Sequence, residues 1–365
     1  MEVTQKILTV SIPTYNRAPL LNELLEKLTS QIVKFKLEGI IEIVISNNAS
    51  TDNTDLICKS FIEKFDFIIY NKNSTNIGAR SNVLKSIELA NSKYVIFLGD
   101  DDRLADDALL KLVDFLFSYP DTGLLLDISM SKLKDVETQS SVTLSHLLEN
   151  YFWYIGNAGL FIVKSSYFKK SLENRDYEYF NTSWPQTQII ILGLTNNKED
   201  KIILKKLDLI SDTVHDQVMI YSSLYIWRTC HLDLYNSITK IKPEIDLISY
   251  KNSLSYLRKN INQIFFNILQ CGIFLDDFKM RFKTAKDIFL NLYKFSVKEV
   301  FYMSIIIILL ILPTFITKPF SNLFILFIKG SDGLKKKSLF VLKESQKKNK
   351  LLNKNNATVR QFEFD

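Results

Sequence analysis

Cysteine and histidine are scarce, with three of each in 365 residues. Cys58, Cys230 and Cys271 are odd in number and widely spaced, which excludes a disulfide framework and a thiolate metal motif and fits a reducing compartment. His146 and His231 have no partners at metal-ligand spacing and read as structural or surface residues. Neither G-x-G-x-x-G nor G-x-x-x-x-G-K-[ST] occurs, so the two commonest phosphate loops are absent and a metal must carry more of any diphosphate charge. No internal repeat is present. The apolar run Ile7 to Ile12 is too short for a signal core, so the expectation is a catalytic part that stays in the cytosol. A general basic surface is lacking too. The net charge is +6, but residues 1–328 carry as many acids as bases, and from Lys329 onward ten basic residues face four acidic ones. A nucleic-acid partner for the body is therefore excluded, and a local basic tail remains.

What is present is apolar and alternating. Hydrophobic residues make up 47% of the chain, enough to bury a large core. Ile7–Ile12, Ile40–Ile45, Phe67–Tyr70, Tyr94–Leu98 and Gly123–Ile128 read as strands, with helical apolar faces between them (Leu20, Leu21, Leu24, Leu25 and Leu28 in the first). Such β-α alternation predicts an α/β fold with a mostly parallel sheet and helices on both faces. Farther on, a strand is expected over 157–163, a helix over 165–172, a helix opened by Thr182 to Gln186 and running through Leu192, and a strand over 204–211.

The fourth strand ends in Gly99-Asp100-Asp101-Asp102. Three like charges at the end of a buried strand are unfavourable unless a cation or water takes them up, and the carboxyl end of a strand in an open α/β sheet is where ligands bind. Mg2+ takes carboxylate oxygens together with substrate phosphates. The alternative for these residues is a solvated acidic turn capping a helix that starts near Ala105.

Three stretches taken together resemble the inverting GT-A glycosyltransferases of family 2, in particular bacterial O-antigen and capsule sugar transferases. They are Ser11-Ile12-Pro13-Thr14-Tyr15-Asn16-Arg17, Ser46 to Asp52, and Gly99 to Asp102. Asn76-Ile77-Gly78-Ala79-Arg80-Ser81-Asn82 and the Gly before the triple Asp resemble the abequosyltransferase-like subgroup. The resemblance covers about residues 5–130. It implies a Rossmann-like GT-A fold and a nucleotide-diphosphate sugar as donor. It further implies that Pro13 and Tyr15 line the base pocket, that Arg17 and Arg80 meet diphosphate oxygens, and that Asp100 to Asp102 hold Mg2+ or Mn2+, with Asp101 and Asp102 as ligands and Asp100 and Asp101 facing the donor. Family members carry an acid in the second loop where Asn47 stands, which leaves the base of the nucleotide open. Their first motif Asp corresponds to Gly99.

Inversion requires a base that takes the acceptor hydroxyl's proton. The family places a carboxylate where this chain reads Ser183-Trp184-Pro185-Gln186. Asp176 and Glu178 are the nearby candidates, with His215 and Asp216 farther along.

Val300 to Ile316 carries no charge, and spanning a bilayer takes about 20 residues, range about 17–25. Pro313 and Pro319 break the stretch, and Phe320 to Ile328 follows it. A single span would put the basic tail outside, against the positive-inside rule. The expectation is re-entrant or interfacial helices on the cytoplasmic face of a bacterial inner membrane, with the tail on anionic lipids; the alternative is a buried core helix. The expected division is a GT-A domain over 1–215, a helical region over 216–297, membrane-associating helices over 298–330 and a basic tail over 331–365. The expected acceptor is a lipid-linked saccharide, polyprenyl-diphosphate-linked as the family commonly uses. The rival readings are a catalytically weakened, membrane-attached nucleotide-sugar-binding subunit and, more remotely, a sugar nucleotidyltransferase, whose Gly-rich first loop is missing here.

Overall fold

A computed structural model describes residues 6–129, 139–155, 157–173, 175–180, 182, 184–213, 232–257, 278–292 and 297–312. His215, Asp216, His231, the two prolines 313 and 319 and the whole basic tail lie outside these residues. The chain divides into two compact units, Met1–Val214 with Asn236–Tyr256, and His215–Tyr235 with Leu257–Asp365.

The first unit opens with β1 (Leu8–Thr14), α1 (Ala18–Lys34), β2 (Ile41–Asn47), α2 (Thr54–Ile62), β3 (Ile68–Lys72), α3 (Ala79–Glu88) and β4 (Tyr94–Phe97). It continues with β5 (Asp102–Leu104), α4 (Ala108–Ser118), β6 (Thr122–Asp127), β7 (Gln139–Val142), α5 (Leu144–Asn150), β8 (Phe161–Lys164), α6 (Ser165–Glu173), α7 (Pro185–Asn196), β9 (Lys201–Lys205) and β10 (Ile210–Thr213). Eight strands form one sheet in the order β3-β2-β1-β4-β8-β6-β9-β7, and β5 pairs with β10 in a second ribbon. β3, β2, β1 and β4 run parallel to one another, and β6 runs parallel to β9. β8 lies antiparallel between β4 and β6, and β7 is an antiparallel edge. The sheet is therefore mixed on one side, as a mostly parallel reading allows.

β1, β2 and β4 are buried nearly throughout because helices cover both faces, which is why they read as continuous apolar runs rather than alternating ones. Leu21, Leu24, Leu25, Leu28 and Ile32 of α1 and Leu109, Leu112 and Leu116 of α4 pack against Val10, Ile12, Ile43 and Ile96 in one core.

Two expectations are corrected. The strand expected over 204–211 is the end of β9, a loop, and the start of β10. The N–H groups of Leu207 and Leu209 are bound by the two oxygens of Asp127 (3.1 and 2.9 Å) rather than by a neighbouring strand, and Asp208 between them has φ +52°. The acidic turn does not lead straight into a helix near Ala105: Asp102–Leu104 is drawn into β5 by β10, and the helix begins at Ala108, where its apolar run starts.

α7 lies so close to α6 that a Cβ at Gly193 would enter the ring of Tyr167. That ring is buried, and its hydroxyl donates to Asp200 (2.6 Å), so it is pinned at both ends. Gly193→Ala is expected to cost about 1–3 kcal/mol, the usual range for overpacking, read as a lower midpoint in chemical denaturation.

Candidate active site

The site lies at the carboxyl ends of β1, β2 and β4. The loop after β1 and the loop after β2 are clasped together. The Asn16 N–H donates to Ser50 Oγ (2.9 Å), and the Thr51 N–H donates to Asn16 Oδ1 (2.8 Å). Asn16 has φ +53°, a left-handed conformation that asparagine tolerates. Asp52 reaches across to accept the Ala18 N–H at the start of α1 (3.0 Å), while its other oxygen takes the Thr54 N–H and hydroxyl at the start of α2. One carboxylate thus serves two helix N-termini, where negative charge is favoured.

The acidic turn after β4 is tied to the β1 loop by an arginine. Arg17 Nη1 stands 3.0 Å from Asp100 Oδ1 and 3.0 Å from Asp101 Oδ2. Thr14 donates its hydroxyl to Asp100 Oδ2 (2.8 Å). Asp102 is turned the other way, its Oδ2 accepting the Gly99 N–H (2.8 Å). A Cβ at Gly99 would stand 2.7 Å from Asp101 Oδ1 and 3.3 Å from Asp102 Oδ2, so a side chain there would have to displace these carboxylates from their present positions.

Asp100 is 6% exposed. Burial pushes its carboxyl up to about 6, against the pull of Arg17 and Thr14. Burial opposes the charge on Arg17, but Asp100 and Asp101 outweigh it and hold the guanidinium above its ordinary range. The site is thus a pair of carboxylates that has drawn in the nearest cation.

Of the residues singled out in the sequence, Arg17, Asp100 and Asp101 are brought together. Tyr15 sits on the same loop, 39% exposed, with its ring available as a face. Pro13 lies in β1 opposite Ser46. Asn47 is fully buried: its Oδ1 accepts the Ser50 N–H and its Nδ2 donates to the Tyr70 hydroxyl, which in turn donates to Asp55. Here Asn47 shapes the second loop from within. Arg80 is half-buried in the first turn of α3. Asp176 and Glu178 are exposed on the 175–180 turn, where Asp176 accepts the Tyr179 N–H (2.9 Å). That turn is tied to the last turn of α3 through Tyr177 and Glu88 (2.5 Å). Arg80 sits at the first turn, about 12 Å away along the helix axis. Gln186 opens α7 as a buried residue.

Sequence reasoning missed three structural supports. Arg103 is buried under the acidic turn, donating to the carbonyls of Asp100 (3.2 Å), Asp102 (2.8 Å) and Leu20 (3.3 Å) and to Glu23. Thr14 orients Asp100. An asparagine network fixes the loop before Arg80: Asn73 donates to Asn48 and Asn82, Asn48 donates to Asn76, and the Ile77 N–H donates to Asn48. The run of asparagines at 47, 48, 71, 73, 76 and 82 was the signal for it.

Divalent-ion binding can be judged from the donor set. Hard carboxylate oxygens, two of them already sharing one cationic group, are the chemistry that Mg2+ and Mn2+ take. Among the described residues no group of three or more His, Cys, Asp or Glu side chains forms a cage. A site of one or two carboxylates completed by substrate phosphates is the form Mg2+ commonly adopts, and Asp101 with Asp102 or Asp100 fits it.

Residues 9–175 match the family model described as Glycosyl transferase family 2. Abequosyltransferase RfbV of Salmonella typhimurium is 44% identical over 116 residues, which cover 32% of this chain and 34% of that protein. GalNAc(5)-diNAcBac-PP-undecaprenol beta-1,3-glucosyltransferase of Campylobacter jejuni is 31% identical over 107 residues, 29% of this chain and 33% of that protein. The matches thus span about a third of the length of these relatives. The mannosyltransferase PcManGT from Pyrobaculum calidifontis, solved with GDP-Man and Mn2+, has a TM-score of 0.53 at 14% identity, covering 97% of this chain and 89% of that one. At that identity the likeness shows a shared fold.

Proposed function

Residues 9–175 form a glycosyl transferase family 2 domain, and on that premise we propose that this chain is an inverting, metal-dependent glycosyltransferase. It takes a sugar from a nucleotide-diphosphate donor and places it on a saccharide acceptor in surface polysaccharide synthesis. The observation that carries the reading is the cluster of Arg17, Asp100 and Asp101 at the sheet's carboxyl edge.

Each residue has a task that follows from its chemistry. The Tyr15 ring offers a stacking face to a nucleobase, worth about 1–3 kcal/mol per base in nucleic-acid settings. Arg17 and Arg80 carry guanidinium forks that match diphosphate oxygens. Thr14 keeps Asp100 oriented, and Arg103 holds the turn through its carbonyls. Asp101 with Asp102 or Asp100 would hold Mg2+ or Mn2+, which when bound neutralises the leaving nucleoside diphosphate. In the transfer, the acceptor oxygen forms its bond to sugar C1 from the face opposite the phosphate. The C1–O bond breaks, the diphosphate leaves with the electron pair, and the acceptor proton passes to a base. Asp176 and Glu178 are tied to the far end of α3, so this reading does not rest the base on them.

The Campylobacter relative is named for a polyprenyl-linked acceptor. A polyprenyl-diphosphate-linked saccharide is the acceptor class proposed here, met at the cytoplasmic face of a bacterial inner membrane. The second reading, a weakened nucleotide-sugar-binding subunit, is favoured by one observation: α7 opens with Trp184-Pro185-Gln186 and no acid. Mass spectrometry of a lipid-linked acceptor incubated with nucleotide sugars and Mn2+ separates the two. A glycosylated product supports the first reading, whereas donor binding without product on any acceptor supports the second.

A pH effect follows from Asp100. A carboxyl held at about 6 keeps a proton that the unfolded chain, with an ordinary carboxyl near 3.9, has already released. Between pH 4 and 6 the folded state binds more protons, so rising pH lowers stability across that window. A divalent ion acts in the opposite sense because it needs the carboxylate. Thermal stabilisation by Mn2+ with a nucleoside diphosphate is expected to be full above pH 7 and to fade as pH falls through about 6. A shift that stays constant down to pH 5 would remove Asp100 from the site.

A further inference from the structure

The second unit's described helices, Phe278–Asn291 and Val297–Ile311, pack against each other, and no described helix of the chain is long and apolar enough to cross a membrane. The first unit holds a buried acid outside the site already described. Asp127 ends β6 and is 1% exposed. A buried carboxylate is costly unless donors take up its oxygens. Oδ1 accepts the N–H groups of Ser129 (3.0 Å) and Leu207 (3.1 Å) and the Ser129 hydroxyl. Oδ2 accepts the Leu209 N–H (2.9 Å). Ser129 Oγ in turn accepts the Asp208 N–H (2.8 Å). The N–H groups of Leu207, Asp208 and Leu209 are thus all held from the end of β6, around the left-handed backbone of Asp208.

These residues lead into β10. The Leu209 carbonyl accepts the Ala105 N–H (2.8 Å), and β10 then runs antiparallel to β5, with Ile210 opposite Leu104 and Thr213 opposite Asp102. Ser211 donates its hydroxyl to the Arg103 carbonyl (3.1 Å). Ile210 packs onto Gly159, where a Cβ would stand 2.4 Å from Ile210 Cδ1. The Gly159 N–H donates to the Phe97 carbonyl at the end of β4 (2.7 Å). The start of β10 is therefore clamped between Asp127 and Gly159, and β5 is laid along it. Since β5 opens with Asp102, the place of β10 sets the direction in which the chain leaves Asp101.

A carboxylate is needed for this clamp. An amide of the same size has one acceptor oxygen. Oδ1 faces three donors, so the amide oxygen would stay there, and its NH2 would meet the Leu209 N–H, donor against donor. We propose that Asp127 is a positioning residue for the metal and diphosphate turn, acting by fixing β10 and, through it, β5 and Asp102. The proposal rests on the metal-dependent reading above.

Mn2+ binding to the full chain with UDP, GDP or CDP present, read by electron paramagnetic resonance of the free ion, tests it. Asp127→Asn is expected to weaken Mn2+ binding by about tenfold, the low end of what lost support around metal ligands costs. Unchanged affinity in that variant, beside a wild type that binds, would overturn the proposal. Gly193→Ala, which loosens the packing of α6 on α7, should lose stability and keep its Mn2+ affinity. An equal weakening in both variants would make Asp127 a stability residue only, and would overturn the proposal too. If Asp127→Asn loses its far-UV dichroism, Ser211→Ala decides. It removes one bond from the β5–β10 ribbon, worth about 1 kcal/mol at most, and should weaken Mn2+ binding by about threefold; no change there counts against the proposal. A wild type that binds no Mn2+ with any of the three nucleotides would instead remove the metal-dependent reading, and the proposal with it.

Discussion

Asp101→Ala combined with Asp102→Ala is expected to reduce sugar transfer by about 10³-fold or more, the range seen when a preorganised electrostatic group is lost from an active site. The fold should survive. Asp101 is bound through its side chain to Arg17 at the rim, and Asp102 accepts the Gly99 N–H. A net hydrogen bond contributes about 1 kcal/mol. Arg17 keeps Asp100 as its partner in this variant. Transfer with added Mn2+, read beside far-UV dichroism, separates loss of chemistry from loss of structure. Full activity of the double variant without added metal would end the metal-dependent reading.

Arg103→Leu is expected to cost about 2–4 kcal/mol of stability and to lower donor affinity as well. The guanidinium is buried, and removing it leaves the carbonyls of Asp100, Asp102 and Leu20 without this donor. Each unsatisfied buried acceptor costs about 1–3 kcal/mol, partly relieved by relaxation. The Glu23 partner contributes little, because it is 59% exposed and surface ion pairs are weak. The informative outcome is the combination. A support for the acidic turn should lower both the denaturation midpoint and nucleotide affinity, and saturating Mn2+ with nucleoside diphosphate should recover part of the midpoint by mass action. A stability loss with unchanged donor affinity would reduce Arg103 to a core residue.

Much of this site could be read from local pattern. Tyr94 to Phe97 announced a buried strand by carrying no charge, and the three acids behind it announced a cation. The β1 loop was legible because Pro13, Thr14, Tyr15, Asn16 and Arg17 follow an apolar run directly. Arg103 escaped notice because an arginine beside three acids reads as their surface counter-ion, whereas it turns under the turn and binds carbonyls. Asn47 was legible only as the residue standing where relatives carry an acid; that its amide bonds to Tyr70, 23 residues away, could not be read from the second loop alone. The strand expected over 204–211 failed because Asp127, some eighty residues earlier, takes the two N–H groups that a strand would have paired.

The sequence by itself determined the strand-helix alternation of the first 128 residues, apart from the short β5, and the presence of acids and an arginine in adjoining loops. Those features depend on neighbours a few residues apart, where hydrophobic period and turn chemistry act. Only the tertiary structure decided which carboxylates face Arg17 and which folds back, that β8 enters antiparallel between β4 and β6, and that Asp176 and Glu178 stand at the far end of α3. Such choices are made by β5 pairing with β10 and by Arg103 reaching Leu20, contacts more than eighty residues apart. Their entropy cost is met only when the whole core closes, so no short stretch of chain carries the information.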